Sequence, residues 1–139
     1  MRVLVDTSAL YKRYNLEAGR DQLVAVSERA DELVIAGHCK AEIASALNRQ
    51  RHDGLLNAND YARIMAVVTA DFNDFTVFAL DHRVEAYAMS AMELSRLRAM
   101  DALHIGTAKA AYVDLFVTAD KRQALAAQAV GLATELIEA

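Results

Sequence analysis

The chain contains no proline, one cysteine and no long apolar segment, and each of these absences limits what it can be. Because proline is missing and the five glycines are scattered, the 139 residues hold no linker or low-complexity stretch, which predicts a single domain. Cys39 alone cannot form an internal disulfide, so we expect a reducing, cytoplasmic location. No apolar run is long enough to span a bilayer, so no membrane partner is expected.

Apolar residues make up 55% of the chain. That content can build one full core and argues against disorder, because disordered chains lack the apolar surface that offsets ordering entropy. The formal net charge is −4 and the pI is near 5.5. An acidic chain is a poor non-specific binder of nucleic acid. The positions of the acids in the sequence are therefore more informative about function than the net charge.

Short apolar runs alternate with longer segments whose apolar residues recur at helical spacing. The runs predict strands at about 2–5, 33–37, 75–80, 115–119 and 134–137. The other segments predict a first helix ending near 14 and further helices at about 19–30, 39–50, 57–72, 83–94, 101–112 and 120–130. Strands joined through helices require crossover connections. The predicted fold is therefore α/β, a three-layer α/β/α sandwich with a mainly parallel central sheet.

Two aspartates directly follow predicted strands: Asp6 comes after "RVLV" and Asp120 after "LFVTA". Ligands of parallel sheets bind beyond the carboxyl ends of the strands, so both carboxylates would lie at a binding edge. A second interpretation stays open, because Asp is a common N-cap and Asp120 has Gln123 at the spacing of a capping box. Taken one at a time, the two aspartates favour capping.

Two further acids are harder to explain in this way. Asp101 begins "DALHIGTAKAAY", a segment apolar on all faces that predicts a buried helix, where a charged cap is costly although still an alternative. Glu42 lies inside a helical pattern, one turn from Cys39 and Ala46, and near the end of the strand "LVIAG". For Glu42 alone, a half-exposed side chain at the edge of the core is the simpler interpretation.

Together, three helix starts and one helix flank would bring the four carboxylates to one edge of the sheet. Such a cluster repels itself unless a cation is bound. Ligand sets made only of oxygen suit Mg²⁺ or Mn²⁺. A divalent ion held there orients a water, lowers the pKa of that water and stabilises a leaving oxygen. The spacing therefore predicts phosphoryl-transfer chemistry.

The segments that carry these acids resemble the PIN-domain family and, within it, the VapC-type toxin ribonucleases. The likeness rests on "VLVDTSAL", "AEIASAL", "RAMDALHIGTAKAA" and "LFVTADKRQALAAQAVGL", and runs from residue 2 to about 136. It implies one PIN-like domain over 1–139 whose catalytic metal ligands for Mg²⁺ or Mn²⁺ are Asp6, Glu42, Asp101 and Asp120. It also implies that Ser8 and Thr118 place hydroxyls beside the acids. Lys40 departs from the pattern, since the family commonly has a small hydroxyl residue before the glutamate.

The same resemblance implies a metal-dependent endoribonuclease that acts as the toxin of a type II toxin–antitoxin pair. Its implied partners are an RNA substrate, a cognate VapB-like antitoxin and a second copy of the chain in a homodimer. With the four acids set aside, the rest of the chain is formally neutral, and bound cations would attract phosphates. Basic residues near the predicted edge are candidates for contact with the RNA backbone: Lys12, Arg13, Lys40, Lys121 and Arg122.

Other functions stay open at this point. Within the family, they are an RNA-processing nuclease without a toxin role and a catalytically idle binding module. Outside it, a phosphorylation-controlled receiver would need paired acids after the first strand, where "VDTS" offers one. A haloacid-dehalogenase-type phosphatase would need an acid at position 8, where Ser8 stands.

Two histidines and three apolar residues complete the set of candidates. His104 shares a helix face with Asp101, and we interpret it as a packed, hydrogen-bonded histidine because a carboxylate site for Mg²⁺ needs no imidazole. His38 is predicted to be a loop or surface residue. Two interpretations stay open for a further group, namely core packing and an apolar face for a partner: Met89, Met92 and Leu94.

Overall fold

Five short strands build a single sheet. They are β1 (Arg2–Val5), β2 (Glu32–Ala36), β3 (Thr76–Phe78), β4 (Leu115–Thr118) and β5 (Thr134–Leu136). The computed structural model of the protein describes residues 1–15 and 17–138, and in them the sheet has the order β3-β2-β1-β4-β5. Every neighbouring pair of strands is parallel, which confirms the predicted parallel sheet. β3 is shorter than expected because its pairing with β2 ends at Phe78.

Seven α-helices accompany the sheet within the described residues. They are α1 (Thr7–Leu10), α2 (Arg20–Glu28), α3 (Cys39–His52), α4 (Ala58–Asp74), α5 (His82–Leu94), α6 (Ala99–Ala110) and α7 (Lys121–Ala129). A 3₁₀ turn at Tyr11–Arg13 follows α1, so the predicted first helix continues only as a tighter turn. None of these helices combines the length and the apolar character that crossing a membrane requires.

The apolar residues of the sheet divide between its two faces, because side chains alternate along a strand. Val3 and Val5 of β1 pack into a core with residues of α1, α2, α3 and α4. Leu4, which stands between them, packs into a second core with residues of α5, α6 and α7. Helices therefore cover both faces of a parallel sheet, which confirms the three-layer α/β/α sandwich.

The strand order places a crevice between β1 and β4. After β1 the chain enters α1 on one face of the sheet, and after β4 it enters α7 on the other face. Connections that leave neighbouring strands toward opposite faces open a crevice at the carboxyl ends, the usual ligand position in such folds. α3 begins just after β2 ends, so it starts at the carboxyl edge. α6 ends shortly before β4 begins, which places its end at the opposite edge of the sheet and its start at the carboxyl edge.

Gly106 lies where α6 packs closely against α5. A Cβ built on Gly106 would lie 2.3 Å from the carbonyl oxygen of Val84 and 3.0 Å from the amide nitrogen of Ala88. Because both are backbone atoms, the two helices would have to separate to admit a methyl group. We expect Gly106→Ala to lower the free energy of unfolding by about 1–3 kcal/mol, as measured by urea denaturation.

The control for this prediction is Ser90→Ala on the exposed face of α5. It should change the free energy of unfolding by no more than about 0.5 kcal/mol. A Gly106→Ala protein as stable as the wild type would contradict the close packing of the two helices.

Candidate active site

A cleft of about 740 Å³ lies at the carboxyl edge of the sheet. Three of the four predicted acids, Glu42, Asp101 and Asp120, line it. Asp6 is 3% exposed and is joined to the lining through the hydroxyl of Ser8. The rest of the lining comes from the segment after β1, from α3 with its N-cap and from the start of α6: Thr7, Ser8, Tyr11, His38, Ala41, Ser45, Ala46, Arg49, Arg98, Ala99 and Met100. Three of the acids therefore line one cleft, and Asp6 is buried one hydrogen bond from its lining.

Asp6 follows β1 directly and is the N-cap of α1, so the capping interpretation of this residue is confirmed. Its Oδ1 accepts hydrogen bonds from the Ala9 amide at 3.1 Å and from the Ser8 hydroxyl at 2.7 Å. Its Oδ2 accepts one from the Thr118 hydroxyl at 2.6 Å. The register of the sheet explains the last contact, because β1 and β4 pair as far as Val117 and the next residues are then neighbours.

The carboxyl group of Asp6 is costly to ionise in this position. Burial raises its pKa above the usual value, although the nearby His104 and the hydrogen bonds from Thr118 and Ser8 act in the opposite direction. No Lys or Arg of the described residues forms an ion pair with it. A bound cation would supply the positive charge that no neighbouring Lys or Arg provides to this carboxylate.

The hydroxyls of Ser8 and Thr118 extend this network to the segment after β4. Ser8 Oγ accepts a hydrogen bond from the Ala119 amide at 3.0 Å. Thr118 Oγ1 accepts one from the Asp120 amide at 3.1 Å. Each hydroxyl thus accepts from the backbone and donates to Asp6, so the network couples the position of Asp120 to that of Asp6.

Glu42 lies in the first turn of α3, and its hydrogen bonds all reach one oxygen. Oε1 accepts from the Thr7 hydroxyl at 2.6 Å and from His104 Nε2 at 2.8 Å, and His38 Nε2 is 3.4 Å away. Among the described residues, no donor reaches Oε2. Burial acts to raise the pKa of Glu42, but the hydrogen bonds from His104 and Thr7 lower it overall, so the side chain is ionised at neutral pH.

Asp120 caps a helix, whereas Asp101 does not. Asp120 Oδ1 accepts from the amides of Arg122 and Gln123, at 2.8 and 3.3 Å, which confirms its capping role for α7. Asp101 lies in the first turn of α6, whose N-cap is Arg98, so the alternative that Asp101 caps this helix is wrong. The buried Gln123 joins the two acids, because its side-chain amide donates to the Asp101 carbonyl at 2.8 Å.

Both histidines that are near the acids in the sequence contact Glu42. His104 is buried and hydrogen-bonded, as predicted. His38 stands in the loop before α3, in line with the prediction of a loop or surface residue, and its side chain is 10% exposed. Its Nε2 lies 2.9 Å from the Met100 carbonyl, and the two imidazole rings are 4.4 Å apart.

Two sets of side chains are candidates for holding a metal. Within 1–15 and 17–138, His38, Glu42 and His104 bring ligand atoms within 4.8 Å of one another, and the four acids are less tightly gathered. In the histidine set, however, each Nε2 faces an acceptor, either Glu42 or the Met100 carbonyl. Each Nε2 therefore carries the ring proton and offers no lone pair. The four carboxylates fit a hard divalent cation better, because their oxygens carry the charge.

Lys12 and Arg13 both form hydrogen bonds to other parts of the chain. Lys12 is buried, and its ammonium group donates to the Ala18 carbonyl at 2.8 Å. The expectation that Lys12 contacts the RNA backbone is therefore wrong. Arg13 Nε donates to Asp71 at 2.9 Å, and the Tyr14 hydroxyl donates to the same oxygen at 2.8 Å, so this group fastens the 3₁₀ turn to α4.

The other three basic residues remain accessible near the site. Lys121 and Arg122 are exposed at the start of α7, directly after Asp120. Lys40 is half-buried in the first turn of α3, two residues before Glu42. Among the described residues that line the cleft itself, none of the five predicted basic residues appears.

Two arginines that the sequence interpretation missed do line the cleft. Arg49 stands two helical turns after Glu42 on α3, so the two share a face, and this spacing was a usable signal. Arg98 gave no such signal, because α6 was expected to begin at 101 and begins at Ala99. The Nε of Arg98 lies 3.3 Å from Asp101 Oδ2.

A PIN domain model matches residues 3–129, so the chain belongs to the PIN domain family, as predicted. The structure is similar to FitAcB from Neisseria gonorrhoeae, with a TM-score of 0.74, 17% identity and 95% of each chain covered. It is also similar to VapC20 from Mycobacterium tuberculosis, a sarcin-ricin loop cleaving toxin, with a TM-score of 0.67 and 15% identity over 94% of this chain and 95% of that one. It is similar as well to a toxin–antitoxin complex from Klebsiella pneumoniae, with a TM-score of 0.67 and 13% identity over 87% of this chain and 88% of that one. No curated protein sequence matches the chain.

Asp6 has a specific effect on how stability depends on pH. Its folded-state pKa is raised above the unfolded value near 3.8, so between these two values the folded protein binds more protons than the unfolded chain. As pH rises through this window, the ionisation of Asp6 therefore lowers the free energy of unfolding of the wild type. Asp6→Asn cannot ionise, so this decrease in stability is absent from the variant. We expect the stability of metal-free Asp6→Asn, relative to the wild type, to increase as pH rises above the unfolded-state value near 3.8.

Asp81→Asn provides a matched control of opposite sign. Asp81 is the exposed N-cap of α5, and the hydrogen bond from the Val84 amide lowers its pKa. Its carboxylate adds stability that is lost as pH falls, so Asp81→Asn should become less stable than the wild type as pH rises. Urea denaturation at several pH values measures both differences. The same sign for both variants would contradict the burial argument for Asp6.

Proposed function

We propose that the protein is a Mg²⁺- or Mn²⁺-dependent endoribonuclease that hydrolyses RNA phosphodiester bonds and acts as the toxin of a type II toxin–antitoxin pair. The observation that carries the proposal is a cleft at the carboxyl edge of a PIN fold that is lined by three carboxylates, Glu42, Asp101 and Asp120, with Asp6 buried one hydrogen bond from the lining. Relatives in fold support it, because one is described as a toxin that cleaves the sarcin-ricin loop and another as a toxin–antitoxin complex.

Three of the four carboxylates fit a divalent cation because, among the described residues, no Lys or Arg neutralises their oxygens or because they accept hydrogen bonds on one oxygen only. Asp6 is buried with a raised pKa and no ion pair to Lys or Arg within the described ranges. Glu42 and Asp120 each accept their hydrogen bonds on a single oxygen. Asp6 and Asp101 are the proposed direct ligands. Glu42 and Asp120 would bind the same ion, a second ion or a water held by either.

When bound, the cation supplies a water of lowered pKa and positive charge for the leaving oxygen of the phosphodiester. The residues of the chain supply the rest of the chemistry. Ser8 and Thr118 hold the carboxylate of Asp6 in place through both of its oxygens. Glu42, which is ionised, accepts a proton from the attacking water or orients that water.

Positive side chains around the cleft are proposed to hold the RNA backbone. Arg49 and Arg98 line the cleft, and Arg98 is 86% exposed, so its contact with Asp101 is weak and exchangeable for a phosphate. Lys121 and Arg122 extend this positive surface beyond Asp120, and Lys40 stands beside Glu42. An otherwise acidic chain thereby gains a local site for phosphates.

The proposed partners are a cognate VapB-like antitoxin and a second copy of the chain. Exposed apolar side chains on α5 support a protein interface, and they contradict the interpretation of these residues as core: Met89, Met92 and Leu94 are 49%, 37% and 66% exposed. We place the protein in the cytoplasm, where the proposed RNA substrate is available.

Metal-dependent cleavage is the direct test of the proposed chemistry. Purified protein freed of any antitoxin should cleave structured RNA in Mg²⁺ or Mn²⁺, and EDTA should stop the reaction. Asp6→Asn should slow cleavage by about a hundredfold or more, because an amide is a poor ligand for a hard cation. Asp114→Asn, the same change at the opposite edge of the sheet, should cleave like the wild type. Cleavage that persists in EDTA or in Asp6→Asn would overturn the mechanism.

The toxin role has its own test. Expression of the wild type should arrest bacterial growth, Asp6→Asn should not, and co-expression of the product of the neighbouring reading frame should relieve the arrest. Cleavage in vitro without growth arrest would favour an RNA-processing nuclease that has no toxin role. Growth arrest by Asp6→Asn as well would favour a PIN-fold module that acts by binding alone.

A further inference from the structure

We propose that His104 is a positioning residue of the nuclease site, which with Thr7 fixes one oxygen of Glu42 so that the other is presented to the cation. The inference rests on the proposed function. Its starting point is an asymmetry, because the hydrogen bonds to this carboxylate all reach Oε1. The Thr7 hydroxyl lies 2.6 Å from Oε1 and His104 Nε2 lies 2.8 Å from it.

The chemistry of its neighbours assigns the proton of His104. An ionised carboxylate only accepts hydrogen bonds, so the contact with Glu42 requires the N–H on Nε2. Nδ1 of the same ring is buried and has no partner among the described residues. His104 therefore donates to Glu42 through Nε2.

Thr7 completes this arrangement. Its Oγ1 lies 3.0 Å from His104 Nε2, so the hydroxyl, the imidazole and Glu42 Oε1 form a closed triangle. The hydroxyl donates its single proton to Oε1. Two donors on one oxygen restrict rotation of the carboxylate about its last bond, whereas a single donor would leave it freer to turn.

The donor is held on a rigid element. His104 belongs to α6, which is buried along most of its length, and the His104 side chain is 2% exposed. The neighbouring ring of His38 packs against it at 4.4 Å, and the Met100 carbonyl holds that ring in turn. Asp101 lies one turn earlier on α6, so His104 sets the position of Glu42 relative to another proposed ligand.

The decisive comparison is between two amide variants of His104. Gln places its amide nitrogen where Nε2 stands, whereas Asn places it where Nδ1 stands, too short to reach Glu42. Mn²⁺ affinity can be measured directly from the electron paramagnetic resonance signal of free Mn²⁺. We expect His104→Asn to weaken Mn²⁺ binding about tenfold or more, and His104→Gln to stay within about threefold of the wild type.

A double-variant comparison separates positioning from general damage. In a Glu42→Gln background, His104→Asn should cause no further loss of Mn²⁺ affinity, because the residue acts through the Glu42 carboxylate. If the His104 variants fail to fold, as judged by thermal unfolding, a second pair tests the same triangle. Thr7→Val should weaken Mn²⁺ binding, and Thr7→Ser, which keeps the donor, should not.

Each outcome bears on the proposal. Equal losses in His104→Asn and His104→Gln, or a further loss in the Glu42→Gln background, would overturn the positioning role. If the expected Mn²⁺ pattern holds but RNA is not cleaved, the proposed function fails and the positioning role stands. A wild type that binds no Mn²⁺ would overturn both.

Discussion

The buried carboxylate of Asp6 is the constraint on which the rest of the site depends. One of its oxygens caps α1 and the other binds the hydroxyl of Thr118 on β4, so it joins the two sides of the crevice. Burial raises the pKa of the carboxyl group, which means that the fold holds a costly charge at its centre. A serine or threonine would cap α1 without that cost. The proposed cation would explain this charge, because a cation binds most strongly to a carboxylate that is fixed and poorly solvated.

A common rule governs how the other acids are held. In Glu42 and Asp120, donors other than lysine and arginine occupy one oxygen: a hydroxyl and an imidazole in the first case, and two backbone amides in the second. Hydroxyls and backbone amides orient a carboxylate but leave its charge in place. A lysine or arginine in the same position would form an ion pair and compete with the metal. The protein thus fixes the geometry of the acids while it keeps their charge available.

The sequence predicted most of the fold because apolar runs and helical spacing are local signals. It also placed the four acids at one edge, since the carboxyl ends of parallel strands coincide. The errors concern side-chain contacts that local patterns do not encode. Lys12 near the acids proved to be buried and bonded to the Ala18 carbonyl, six residues away, and His38 proved to pack on His104. Arg98 was missed because the predicted start of α6 was two residues too late, which left Arg98 in the preceding loop and not at the helix start.

The short helix α1 explains why these contacts act together. Four residues are too few to form a stable helix alone, so α1 depends on its cap and on its tertiary contacts. Neighbouring residues at its start serve different acids, because Thr7 donates to Glu42 and Ser8 donates to Asp6. Loss of the Asp6 cap would therefore displace the donor of Glu42 as well, although the two carboxylates are not bonded to each other. The geometry of one acid depends on that of the other through a single helical turn. This is why "VDTSAL" carries both the cap and the positioning of the site.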